Sequence, residues 1–91
     1  MDEQSLLKLI QEVRRDYQIP PFLKDETLKN FAIEGACLLK NLNPVCTTDD
    51  EIFRMLLKNY IYYAYHHQTN EWKANYAELI LSWQLGTEVS E

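Results

Sequence analysis

Turn-forming residues are scarce: two glycines and three prolines punctuate 91 residues. So few of them exclude the many tight hairpins of a β-sandwich or barrel and leave long uninterrupted segments. Basic residues are also in deficit, with nine Lys and Arg against fourteen Asp and Glu, a formal net charge of −5 and a pI near 4.9. That balance is poorly suited to neutralising phosphates and argues against a sequence-reading DNA binder. No apolar run approaches the roughly 20 residues that a bilayer span requires. The opening Met1-Asp2-Glu3-Gln4 lacks the basic-then-apolar pattern of a secretory leader, so the expectation is synthesis in a cytoplasm and no membrane contact. Cys37 and Cys46, the only cysteines, are then expected as reduced, small core hydrophobes rather than a disulfide.

What remains is a chain that should fold. Hydrophobic residues make up 46% and charged residues 25%, close to the globular average, and the length supports one small domain without a second core. The periodicity is helical throughout, and the fold class read from it is all-α, about four helices, with a long aromatic-rich third helix. The first helix is expected from about Gln4 to Asp16, with Leu6, Leu7, Leu9, Ile10 and Val13 on one face. Pro20 and Pro21 end it and open a connector from Gln18 to Lys24, with Ile19, Phe22 and Leu23 tucked onto the core.

Asp25 is placed to cap a second helix reaching about Leu42. Its apolar sector is wide: Leu28, Phe31, Ala32, Gly35 and Leu39, with Ile33, Cys37 and Leu38 beside them. Gly35 in mid-helix implies close approach of another backbone. Asn43-Pro44 closes the helix, and Thr48-Asp49-Asp50-Glu51 spells a capping box between Thr48 and Glu51. A third helix follows to about His67, its buried stripe being Ile52, Phe53, Leu56, Leu57, Tyr60, Ile61 and Ala64. Thr69 or Asn70 starts a fourth through Trp72, Tyr76, Leu79, Ile80 and Trp83, stopped by a left-handed Gly86. The domain so defined is 1–86, with 87–91 as a flexible tail.

Chemistry-bearing constellations are few. His67 and Glu71 are spaced i, i+4, but Thr69-Asn70 reads as a helix boundary between them and no third ligand is at hand, so no metal site is assigned. The two histidines are adjacent, at His66 and His67, and no Gly-rich turn or nucleophile elbow accompanies them, so no catalytic residue is assigned either, nor any cofactor. The run Asp49-Asp50-Glu51 is explained by its place in the first turn of a helix. The one surplus is aromatic: over Tyr60 to Tyr65 the polar face vanishes, and Tyr62, Tyr63 and Tyr65 point in too many directions for one small core to cover. Those three, with His66 and Trp72, are the candidate interface anchors.

The order of elements also resembles a known family. A first helix leading into Val13-Arg14-Arg15-Asp16-Tyr17 is followed by Asp25-Glu26-x-Leu28, which opens a helix with Ile33, Ala36 and Leu39. Next come Asp49-Asp50-Glu51, the aromatic helix ending Tyr63-Ala64-Tyr65-His66-His67, and a closing helix to Trp83-Gln84-Leu85. This arrangement is similar to the small all-helical head-tail connector (adaptor) proteins of tailed bacteriophages. Where that family often carries Asn-Arg after the long helix, this chain has Thr69-Asn70-Glu71.

The resemblance implies a non-enzymatic structural protein of the virion, made in the host cytoplasm. Its copies would form a homo-oligomeric ring under the portal protein, joined below to a stopper or tail-completion protein, with DNA passing through without sequence-specific binding. The isolated chain is compatible with a monomer if the portal templates the ring.

Residues 1–47 carry seven acids and six bases, whereas 48–91 carry seven and three, so the second half is the better lining for a channel that phosphates must traverse without sticking. Asp49, Asp50, Glu71 and Glu78 are its candidate acidic residues. The alternative is a small regulatory or interaction module gripping one partner helix in the groove beside the third helix. A helix-turn-helix reading fails for want of bases, the third helix offering Arg54 and Lys58 and the fourth only Lys73.

Overall fold

A computed structural model describes residues 2–89, with side chains through residue 86. Five helices follow one another: α1 (Glu3–Tyr17), α2 (Asp25–Leu42), α3 (Glu51–Tyr65), α4 (Thr69–Asn75) and α5 (Ala77–Val89). No strand occurs among the described residues. The all-α reading holds, but the helix count is five, and the longest is α2 with 18 residues, not α3 with 15.

Asp2 starts α1 by accepting from the Ser5 amide at 2.8 Å. The helix buries Leu6, Leu9, Ile10 and Val13. It ends where Gln18 takes a left-handed backbone, φ 52°, and the Ile19 amide bonds the Arg14 carbonyl. A turn follows in which the Leu23 amide bonds the Pro20 carbonyl at 3.1 Å, placing Pro21 and Phe22 at its outer corners. Ile19 is buried and Leu23 packs on the core as expected, but Phe22 is 82% exposed.

Asp25 does not cap α2. No side chain does, because its carboxylate is turned to Arg14, whose Nε and Nη2 donate to it at 2.9 and 2.7 Å. The same guanidinium donates to the carbonyls of Pro20 and Leu23, so one charged fork holds both sides of the connector.

Against α3, α2 buries Leu28, Ala32, Gly35 and Leu39. A Cβ on Gly35 would lie 2.6 Å from Tyr60 Cδ1 and 2.8 Å from Leu57 Cδ1. The close approach expected at this glycine is real, and it is α3 side chains that occupy the space. The sector is narrower than the apolar count implied: Ile33 is 58% exposed and Cys37 lies at the surface, on the side of α2 away from α3. Cys46 alone behaves as a core thiol, and both cysteines are free.

The third helix begins at Asp50, not at a Thr48–Glu51 box. Asp50 Oδ1 accepts from the Ile52 amide at 2.9 Å, a charge-assisted cap that outcompetes the hydroxyl of Thr48. The helix stops at Tyr65, short of His67. The amides of His67 and Gln68 bond the carbonyls of Ala64 and Tyr63, with His67 at φ 58°. This is a Schellman closure made by histidine, where glycine is usual.

Beyond it, the expected single helix is broken at Tyr76 (φ −110°, ψ 11°). A straight helix would hold Trp72 and Trp83 about 16 Å apart along one line. The break lets Trp72 enter the core beneath α3 while Trp83 turns back to Phe53 and Asp50. Gly86 takes no positive φ and stops nothing: α5 continues to Val89. Of the tail expected at 87–91, residues 87–89 thus continue the helical backbone, and 90–91 lie outside the described residues. All five helices feed one hydrophobic core.

Candidate functional site

The tyrosines of α3 do not stand out from the surface. Tyr62 stacks on Tyr17 of α1 with ring centroids 4.8 Å apart, and Tyr63 meets it edge-on at 6.0 Å. Tyr63 also packs edge-on against Tyr76 at 6.1 Å and its hydroxyl accepts from Asn75 Nδ2. Tyr65 leans on His66 at 4.8 Å, and His66 in turn touches Tyr62. All three tyrosines are partly buried within the chain; of this set only His66 is exposed. Helix α1 and the α4–α5 bend supply the cover that a count of helix faces did not foresee.

Trp72 cannot anchor a partner in this conformation. It is wholly buried, its Nε1 donates to the Leu56 carbonyl at 3.2 Å, and Tyr60 meets it edge-on at 5.1 Å. Burial also pushes the Tyr60 hydroxyl well above the ordinary tyrosine range, reinforced by the Glu34 carboxylate to which it donates.

The apolar surplus lies elsewhere. Among the described residues, Phe22, Ile33, Val45, Met55, Leu81 and Leu85 are the large hydrophobic side chains left exposed. Leu81 and Leu85 share one face of α5 with Glu78 and Ser82, spaced i, i+3, i+4, i+7, and with Gly86 they line a shallow recess wide open to solvent. The opposite face buries Ile80 and Trp83. Helix α5 is therefore apolar on two sides, a feature legible in the run Leu79-Ile80-Leu81 and overlooked beside the tyrosines. For Phe22 no sequence signal existed, since a connector phenylalanine after two prolines fits either side of the surface.

The four candidate channel acids divide. Asp49, Glu71 and Glu78 are exposed and make no ion pair among the described residues. Asp50 is committed to structure: its Oδ1 caps α3 and its Oδ2 accepts from Trp83 Nε1 at 2.6 Å.

The groove beside α3 is ionic. Arg54 and Lys58 reach from α3 to Glu12 of α1 at 2.9 and 3.4 Å, and Lys58 also meets Asp16 at 2.8 Å. For Glu12, partial burial opposes ionisation, but the Lys58 hydrogen bond and the two cations win and hold its carboxyl below the usual range. Asp16 is lowered by its hydrogen bonds to Lys58 and Arg15.

Among the described residues no three of His, Cys, Asp or Glu gather where a metal could sit, and no helix is long and apolar enough to cross a membrane. His67 and Glu71 both face solvent, on either side of a helix end. No family model, curated protein or solved structure matches this chain.

Proposed function

We propose that the chain is a structural, non-enzymatic subunit of a tailed-phage virion. Its copies form a ring at the head–tail junction, joining the portal protein to a stopper or tail-completion protein while DNA passes through the centre. The reading starts from the family resemblance in element order. The observation that carries it is the outer face of α5, where Leu81 and Leu85 remain more than half exposed on a helix whose other side is already buried. A ring needs two different patches per copy that meet head to tail, and a second apolar face on one helix is the kind of surface such a contact covers.

Asp49 and Glu71, exposed and free of ion pairs, suit a channel wall that repels phosphate. The rival reading, a module gripping a partner helix beside α3, finds that groove filled by the Glu12–Arg54–Lys58–Asp16 pairs. A partner would have to displace them, so the ring is preferred.

Two assays test the proposal. The chain should co-purify with a portal protein and restore tail joining in a connector-deficient phage. Failure of both, with a one-to-one complex formed with some other helix instead, would sink it.

A further inference from the structure

The ring reading leaves open which two patches meet, and the geometry points to one pair: Phe22 of one copy seated in the Leu81–Leu85 recess of the next. The inference rests on that reading for its many-copy form.

Phe22 is the most exposed large hydrophobic side chain among the described residues, yet the backbone that carries it is clamped. It occupies a corner of the Pro20–Leu23 turn, between the buried Ile19 and the half-buried Leu23, and the Arg14 fork grips the carbonyls of Pro20 and Leu23 and the carboxylate of Asp25. An aromatic ring presented on a clamped turn has only its side-chain rotamers left to order on docking, the backbone being fixed beforehand, which suits an interface anchor.

The receptor is the α5 recess. Leu81 and Leu85 form its apolar floor, and Gly86 leaves it open, since a Cβ there would meet nothing within 4 Å.

Charge selects the orientation. Glu78 stands at the recess and Lys24 stands two residues from Phe22, and neither makes an ion pair among the described residues. Seating the ring brings cation toward anion.

Position makes the contact directional. The connector lies at the N-terminal end of α2, whereas α5 is fastened at the C-terminal end, through Gln84 to the Leu42 carbonyl and Trp83 to Asp50. Helix α2, 18 residues and so about 27 Å long, runs between these two ends. Knob and recess at opposite ends of one rod join copies head to tail, and such a contact propagates until rotation closes it. Glu78 then belongs to the seam between copies and not to the channel wall.

The test places a photoreactive benzophenone side chain at position 22 of the otherwise unaltered full chain and maps the crosslinks formed over a rising concentration series. The expected product joins position 22 to residues 78–86 of a second copy. Leu85→Glu should lower its yield about tenfold with an unchanged circular dichroism spectrum. Glu78→Lys should lower it about two- to fivefold, and Lys24→Glu in the same chain should restore it.

Crosslinks that map to another segment, or none at any concentration, overturn the inference. Rings seen by electron microscopy with crosslinks elsewhere would keep the ring and discard this seam. The expected crosslink in assemblies that stop at two copies would keep the seam and discard the ring.

Discussion

The seam between α2 and α3 and the outer face of α5 are built from similar residues and end in opposite states. In the seam, Gly35 lets Tyr60 and Leu57 come so close that no Cβ fits, and both side chains are buried. On α5, Gly86 faces open space beside two exposed leucines. A glycine in mid-helix costs about 1 kcal/mol against alanine wherever it sits. In the seam close packing offsets that cost; at Gly86 no packing among the described residues does, since a Cβ there meets nothing within 4 Å. Apolar content alone is therefore a poor guide to an interface. What makes a surface a candidate is apolar content that no neighbour among the described residues covers.

Several substitutions break or sharpen this contrast. The largest effect belongs to the core beneath α3: Trp72→Ala should cost about 3–5 kcal/mol in denaturant unfolding followed by circular dichroism. A loss under 1 kcal/mol would mean that the α4 ring is not part of the core. Next, Gly35→Ala should destabilise by about 1–3 kcal/mol through overpacking against Tyr60 and Leu57.

A pH effect comes third. Glu12 has a folded pKa below its ordinary 4.5, so its contribution is fully present above that value and is lost as pH falls through the folded one. Glu12→Gln should flatten the acid limb of stability measured between neutral pH and pH 3, and an unchanged limb would show that the Arg54 and Lys58 pairs contribute nothing.

Gly86→Ala should be neutral or stabilising by up to about 1 kcal/mol, the reverse sign of its counterpart in the seam. The smallest stability change is expected for Leu81→Ser with Leu85→Ser, within about 0.5 kcal/mol per site. That pair should nevertheless abolish any self-association seen by sedimentation; unimpaired association would remove α5 from consideration as an interface.

Much of this architecture was legible from spacing. The bounds of α2, the stripe of α3 and the buried face of α1 follow from helical periodicity, which reports one face of one helix well. What escaped were features decided by a second element. Asp25 answers to Arg14 rather than to its own helix, Asp50 caps α3 in place of Thr48 while its other oxygen accepts from Trp83, and His67 closes α3 in a conformation usually left to glycine. The tyrosines were misjudged for the same reason: Tyr62 and Tyr63 are covered by Tyr17 and Tyr76, partners 45 and 13 residues away.

The two oxygens of Asp50 serve different masters, one beginning α3 and the other fastening α5 through an indole N–H. An asparagine at that position sets an NH2 donor where one of the two oxygens stands, so either the Ile52 amide or the Trp83 ring loses the acceptor that now faces it. Whichever it chose, the chain would be forced to trade the start of one helix against the mooring of another. A single atom exchanged in one side chain could thus loosen the last helix from the body while leaving its sequence untouched.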